Sequence, residues 1–568
     1  MGICLAFIDV YPDKAQYHPG EEGNIIVEVE ATSACRLKIQ TAFSELSSIF
    51  SKTEKEIVLV ESRRDKVLIP FQAEGVGWKC IGVDVNIYLS DELQITKSTA
   101  FDIADHWRRA PRYGFLSDFP KEELGDTNDV ISLSKYHINI VQFYDWMYRH
   151  DELVPPTHQF VDPMGRQLSY DVITEKKHAV QEKGMGAIAY GAVYASLKDY
   201  FEEHKNLALY KRNGEPFNLI DRFYIMDISP YSAWTEKIIS ELVKVIKEGF
   251  DGVHLDQYGF PKKGIRNIDH QAEVVDLAPC YKELIDRLKK EIHVINDQAG
   301  LIFNNVSNYP VATTAKANQE CVYIEVWPPV KHLFELKQLV CRARELSGKQ
   351  VILSAYLPAF RELPVEQTDE AENGALLTMA TIFACGGYHL LLGEGNSVLT
   401  AAYYPNYVRM RDSFIQEVRH YYDFIVRYGK LLYSSNLYDV SMTYTGGVNT
   451  EVQFTSEHKI EPNGDLNTIW SIVKNSSQFM VIHLINLIGL EDDIWEKGKK
   501  TRPREQQNII CTVLMEYQIE ELFIASPEQN DGRPVTIEYE EVDHEQGKAI
   551  RFTIPLLKIW DMIVINWK

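Results

Sequence analysis

Up to residue 106 the chain runs in short apolar stretches: CLAFIDV, NIIVEVE, CRLKIQ, EIVLV, KVLIPF and KCIGVDVNIYL. Charged segments such as ESRRD and the Pro19-Gly20 turn separate them. Strand-length runs with no helical period predict an immunoglobulin-like antiparallel β-sandwich over residues 1–106. From residue 107 strand-like runs alternate with stretches of helical period. The strand candidates are RYGFLSDF (112–119), INIVQFYDW (138–146), MGAIAYGAVY (185–194), DGVHLDQYG (251–259), LIFNNVSN (301–308), CVYIEVW (321–327), VILSAYLP (351–358) and YHLLLGEG (388–395). RFYIMDIS (222–229) reads as a loop excursion. Between them, Ile239, Leu242, Val243 and Ile246 fall on one helical face, and Leu333, Leu336, Leu339 and Val340 repeat the spacing. Eight strand–helix units over residues 107–426 predict a (β/α)8 TIM barrel. The alternative, a doubly wound open sheet, is weakened because no GxGxxG or GxxxxGK[ST] follows any strand. Residues 427–568 return to strand-like runs, among them SQFMVIHLINLI, IICTVLMEYQI and DMIVINW, which predict a C-terminal antiparallel β-sandwich.

Composition narrows the partners. The 568 residues are 45% hydrophobic and 25% charged, an ordinary globular balance, and too long for one core. With 59 basic and 81 acidic residues the formal charge is −22. That charge repels a phosphate backbone and offers no basic anchor for anionic lipid, so neither a nucleic acid nor a membrane is expected as partner. No apolar run reaches the length of a membrane span. The start, MGICLAFIDVYPDK, has neither a basic leader nor a long apolar stretch, and lacks the Ser or Thr of a myristoylation signal. The eight cysteines form no CxxC pair and read as buried reduced thiols, so a cytoplasmic location is expected.

In a barrel the chemistry sits where strands end. The second strand ends in Tyr144-Asp145-Trp146, the fourth in Asp256 and the sixth in Glu325. Glu394 follows the eighth. Asp256 and Glu325 each close an apolar run, where an ionised carboxylate requires a partner or a function. As a pair in one mouth they suit glycosidic cleavage with retention. As single residues each could equally be an ion-paired structural carboxylate. Asp145 with its aromatic neighbours suits a sugar subsite, by hydrogen bonds to hydroxyls and ring stacking, or else a satisfied aromatic cluster. His254 and His389 read as core histidines, and Asp251 as a turn residue. HExxH, GxSxG and DxDxDG signatures are absent.

FIDVYPDKAQYHPGE, YGFLSDFP, NIVQFYDWMYRH, YIMDISP, GFDGVHLDQYG and VYIEVWP occur in that order. Together they resemble glycoside hydrolase family 66, the endo-dextranases and cycloisomaltooligosaccharide glucanotransferases, over nearly the whole chain. The resemblance implies a retaining enzyme of α-1,6-linked glucan, dextran or isomaltooligosaccharide, needing no metal or organic cofactor. It implies Asp256 as nucleophile and Glu325 as general acid/base, with Tyr144 and Asp145 holding the sugar at the cleaved bond. It assigns Tyr190, Asn304, Trp327 and Glu394 to substrate binding by region only. The mechanism requires Glu325 to start protonated, its pKa raised by burial or negative charge, and Asp256 to stay ionised, its pKa held down by hydrogen bonds. Cyclising members resemble dextranases with an extra carbohydrate-binding domain near the seventh barrel unit. Here residues 358 to 388 hold one helix, which favours a dextranase-like hydrolase. A cyclising glucanotransferase and a non-catalytic glucan-binding protein are the alternatives.

Overall fold

The computed structural model describes residues 5–268 and 271–568, with residues 267 and 268 described through their backbone. Met1–Cys4, where the first predicted strand and the leader reading begin, lie outside the described residues. Two antiparallel sheets form the N-terminal part. One pairs Leu5–Pro12, Glu22–Ala31 and Arg64–Gln72; the other orders Ser48–Leu59, Cys35–Glu45, Lys79–Leu89 and Glu92–Ile103. Alternate side chains, among them Ile25, Val27, Val29, Val83, Val85 and Ile87, meet between the sheets, as the period of two along a strand requires.

The middle of the chain builds a ring of parallel strands: β1 (Tyr113–Leu116), β2 (Ile140–Phe143), β3 (Gly186–Ala192), β4 (Gly252–Asp256), β5 (Gly300–Val306), β6 (Cys321–Glu325) and β7 (Val351–Ser354). β8 comes in two pieces, Tyr388–His389 and Leu392–Gly393. Each strand pairs in parallel with the next. The second piece of β8 pairs with β1 through Gly393 and Phe115, so the ladder returns to its start, which an open sheet does not. The excursion at Phe223–Ile225 joins Ala195–Ser196 and Asn218–Leu219 in a separate three-stranded sheet.

The connecting helices are α1 (Asn128–Lys135), α2 (Tyr170–Glu182), α3 (Ala233–Lys247), α4 (Leu277–His293), the single turn α5 (Val311–Thr314), α6 (Leu333–Ser347), α7 (Thr368–Ala384) and α8 (Asp412–Arg427). In α3 the Ser232 hydroxyl caps Thr235 N–H, and Ile238, Ile239, Leu242, Val245 and Ile246 are buried. α6 opens on a His332/Glu335 capping box and stops at Gly348, whose φ of 67° suits a residue without Cβ. α7 is buried almost all round, because the C-terminal part covers its outer face: Thr378 Oγ1 donates to the Trp495 carbonyl at 3.0 Å. Among the described residues no helix is long and apolar enough to cross a membrane.

The C-terminal part again holds two sheets. In the larger, Ile469–Asn475, Phe479–Asn486, Trp560–Trp567 and Ile519–Ala525 lie in that order. The smaller contains Val452–Thr455, Gln506–Leu514, Gly547–Leu557 and Tyr539–His544. Both faces of the larger sheet are buried: Ile469 and Val473 face the smaller sheet, and Trp470 and Ile472 join the core of the ring. That double burial explains the unbroken apolar run SQFMVIHLINLI. Cys80, Cys280, Cys321, Cys385 and Cys511 are buried thiols outside any disulfide, as expected, whereas Cys35 and Cys341 are half-buried and Cys4 lies outside the described residues.

The N-terminal sheets are fastened to the ring by buried charge. Asp102 accepts from Arg112 Nη1 at 3.1 Å and Nη2 at 2.7 Å, from Gln16 Nε2 at 2.9 Å and from Trp78 Nε1 at 3.1 Å. Arg112, just before β1, is itself buried. Truncating Asp102 to Ala leaves that guanidinium buried without its counter-ion, so a loss of about 3–5 kcal/mol is expected. A urea melt followed by near-ultraviolet circular dichroism measures it. An unchanged midpoint would show that water reaches Arg112.

Candidate active site

A cavity of about 610 Å³ opens where the ring strands end. Six of the strands contribute: Tyr144 and Asp145 after β2, Tyr190 from β3, His254 and Asp256 from β4, Asn304 from β5, Glu325 at the end of β6 with Trp327 after it, and Tyr356 after β7. Tyr403 and Tyr404 come from the segment after β8. The mixture of aromatic walls and a few convergent polar groups suits a small polar ligand with an apolar face.

Three groups hold the two central carboxylates through four hydrogen bonds. Asp256 Oδ2 accepts from the Tyr190 hydroxyl at 2.6 Å, and Oδ1 from Asn304 Nδ2 at 2.7 Å. The same Asn304 nitrogen donates to Glu325 Oε2 at 2.9 Å, while Glu325 Oε1 accepts from the Tyr356 hydroxyl at 2.7 Å. One nitrogen therefore bridges the pair, and the two carboxylate oxygens it touches stand no farther apart than the sum of those two lengths. Glu325 is 7% exposed.

Burial raises the pKa of Glu325, against the bonds from Tyr356 and Asn304 that favour its charged form. The sequence expectation for Asp256 is corrected here. Its two hydrogen bonds do favour the carboxylate, but burial outweighs them and the negative charge of Glu325 adds to it, pushing Asp256 up to about 7. Two buried acids this close titrate as a pair, with one proton between them once the first has left.

Asp145 sits at the same mouth with φ of 48°, a backbone region that residues with a Cβ seldom enter. Burial pushes its carboxyl up to about 7, against the pull of Arg166. Tyr144 stacks on Tyr404 with ring centroids 4.2 Å apart and planes 13° from parallel. Trp146 is fully buried and donates to the Tyr190 carbonyl, so it braces the wall and offers no stacking face. Trp327, 37% exposed, meets Tyr356 edge-on at 5.9 Å and remains open to the cavity. His254 is buried, as expected of a core histidine, yet its ring, between Tyr190 and Tyr323 and 3.2 Å from the Tyr113 hydroxyl, also lines the cavity. Burial lowers it to about 3, so it is neutral. His389 donates to the Ala355 carbonyl away from the cavity, and Asp251 accepts from Ala187 N–H and Gln181.

Glu394 does not join this group. It is buried outside the cavity lining and accepts from the Ser117 N–H at 2.7 Å and hydroxyl at 2.6 Å, tying the end of β1 to the segment after β8. Burial and the neighbouring Asp118 charge push it up to about 8. Its place after β8 suggested a site residue, but the chain turns there and points it inward. Tyr356, Tyr403 and Tyr404 were not singled out from sequence. Tyr356 lies two residues past the end of β7, so a rule that reads strand ends and the residues just after them finds it once neutral phenols are admitted. Tyr403 and Tyr404 lie in AAYYPNY, which carries no motif.

The family model described as Glycosyl hydrolase family 66 matches residues 12–564. Two cycloisomaltooligosaccharide glucanotransferases of Niallia circulans are each 23% identical to this chain. The alignments run over 714 and 713 residues and cover 98% of this chain and 71% and 72% of theirs. An alignment longer than this chain's 568 residues means that those relatives carry segments with no counterpart here. Among solved structures, the Paenibacillus sp. cycloisomaltooligosaccharide glucanotransferase complexed with cycloisomaltoheptaose superposes with a TM-score of 0.89. It is 20% identical over 98% of this chain and 99% of that one, so the two share a fold.

Proposed function

Because the chain belongs to glycosyl hydrolase family 66, we propose that it is a retaining enzyme of α-1,6-linked glucan. In this reading Asp256 is the nucleophile and Glu325 the general acid/base. The ring is its (β/α)8 barrel, flanked by two β-sandwiches that brace it. The observation that carries the reading is the Asn304 nitrogen shared at 2.7 and 2.9 Å by the two carboxylates. That bridge keeps them nearer than the ~6.5 Å at which inverting pairs begin and leaves no room for a water between them and the sugar.

The chemistry follows from the geometry. The shared proton rests on Glu325 in the productive state. A lone pair on an Asp256 carboxylate oxygen attacks the anomeric carbon as the bond to the departing O6 breaks, and Glu325 gives its proton to O6. A glucosyl ester on Asp256 results. Glu325, now a carboxylate, takes a proton from the acceptor hydroxyl, whose oxygen attacks the anomeric carbon and frees Asp256. Tyr190 and Asn304 stabilise the leaving Asp256 carboxylate, and Asp145 and Tyr144 hold the reacting sugar.

The acceptor decides the product. The curated relatives are glucanotransferases, which supports attack by the chain's own non-reducing end and hence cyclic isomaltooligosaccharides. The observation favouring water is the compact link between β7 and β8, which contains a single turn at Ala359–Glu362, a short 3₁₀ turn and α7 but no additional domain. Mass spectrometry of the products from dextran and from a linear isomaltooligosaccharide separates these. Rings are expected from the first reading and shorter linear chains from the second. A folded protein that converts neither substrate would overturn both.

A further inference from the structure

A second cavity, of about 640 Å³, lies beside the first on the loops after β2 and β3. The two share Pro163, and the wall between them is built from alternate side chains of the same backbone. His150 and Ile220 face the catalytic cavity, while their neighbours Arg149 and Asp221 face the outer one. Phe223 and Arg222 divide in the same way, and Arg222 Nη1 fixes the shared corner by donating to the Pro163 carbonyl at 2.7 Å. The rest of the outer cavity is Leu197, an apolar patch, with Lys198, Asp199 and Glu202 around it. Arg149 is held by Asp151 and Asp199. Charged donors and acceptors around a small apolar floor match the hydroxyls and ring faces of a sugar.

Position gives the polarity. The outer cavity is lined from the loops after β2 and β3, and Asp145, just after β2, lines the adjoining catalytic cavity. Glu325 and Trp327, on β6, stand across the ring. The acid marks the leaving-group side, so the outer cavity lies on the side that keeps the glycosyl chain. Resting on the α-1,6-glucan reading above, we propose that this cavity binds the distal glucose units of the chain retained on Asp256, across the Ile220–Asp221 hairpin tip. A long chain then gains contacts that a short one cannot reach.

The test compares kcat/KM for isomaltoheptaose and isomaltotriose in the unchanged protein, in Asp199→Ala and in Glu202→Trp, which fills the cavity. Both positions are exposed, and a thermal melt checks the fold. The ratio of long to short is expected to fall about threefold to tenfold, the worth of one or two net hydrogen bonds. An unaltered ratio in Glu202→Trp overturns the outer subsite and leaves the catalytic reading standing. An unchanged protein that turns over neither oligosaccharide overturns the catalytic reading, and the subsite with it.

Discussion

Asp256→Asn is expected to lower turnover of an α-1,6-linked glucan by at least about 10⁴-fold, because the amide cannot form the glycosyl ester that the two-step route requires. The substitution is nearly isosteric and its neighbours can receive it. The amide oxygen can take the Asn304 Nδ2 hydrogen bond, and the amide NH₂ can donate to the Tyr190 hydroxyl, which turns to accept. It also removes a buried charge beside Glu325, so thermal stability should hold or rise. Loss of turnover with an unchanged or higher melting temperature is the signature of lost chemistry. The cavity walls remain, so calorimetry should still detect oligosaccharide binding. Turnover within tenfold of the unchanged protein would remove Asp256 from the nucleophile's role.

The ends of β4 and β6 were legible because a carboxylate closing an apolar run requires a partner or a function, although the run alone left an ion-paired structural role equally open. Asp256 and Glu325 emerged from that rule, and the structure brings them to one asparagine. Asp145 was legible in the same way, although its left-handed backbone was not. The rule misled at Glu394, since the residue after β8 turns inward to Ser117. It was silent on Tyr356 because it sought ionisable groups, and a neutral phenol can orient an acid as well. Trp146 had the composition of a stacking residue, but its place behind the β2–β3 wall depends on packing across the ring. The titration of Asp256 was beyond sequence for a related reason: hydrogen bonds and desolvation oppose each other there, and only coordinates show which is larger. Period-two burial made the antiparallel sheets at both ends of the chain readable, whereas the covering of α7 by the C-terminal part showed in sequence only as a helix lacking a polar face.

Glu325→Gln separates the two halves of the reaction. The amide has no proton to give, so a natural chain leaving through O6, a poor leaving group, should react about 10²- to 10⁴-fold more slowly. A dinitrophenyl glycoside departs without protonation, so formation of its ester on Asp256 should be nearly spared, giving a burst of phenolate followed by slow release. The pH profile supplies the sign. In the unchanged protein activity falls as pH rises through the pKa of Glu325, because the acid is lost. It falls as pH drops through that of Asp256, because the nucleophile is protonated. Burial raises both, so the bell is displaced towards higher pH than free carboxyls would give. The variant abolishes the alkaline limb. It also removes the negative charge that helps raise Asp256, so Asp256 ionises at lower pH in the variant than it does beside a charged Glu325. Loss of the alkaline limb is read from kcat/KM for the natural glucan, and the ionisation of Asp256 from kcat/KM for the activated glycoside, across the pH range. An alkaline limb that persists in Glu325→Gln would assign the proton to another group, with Asp145, itself pushed up to about 7 and open to the same cavity, the first to be examined.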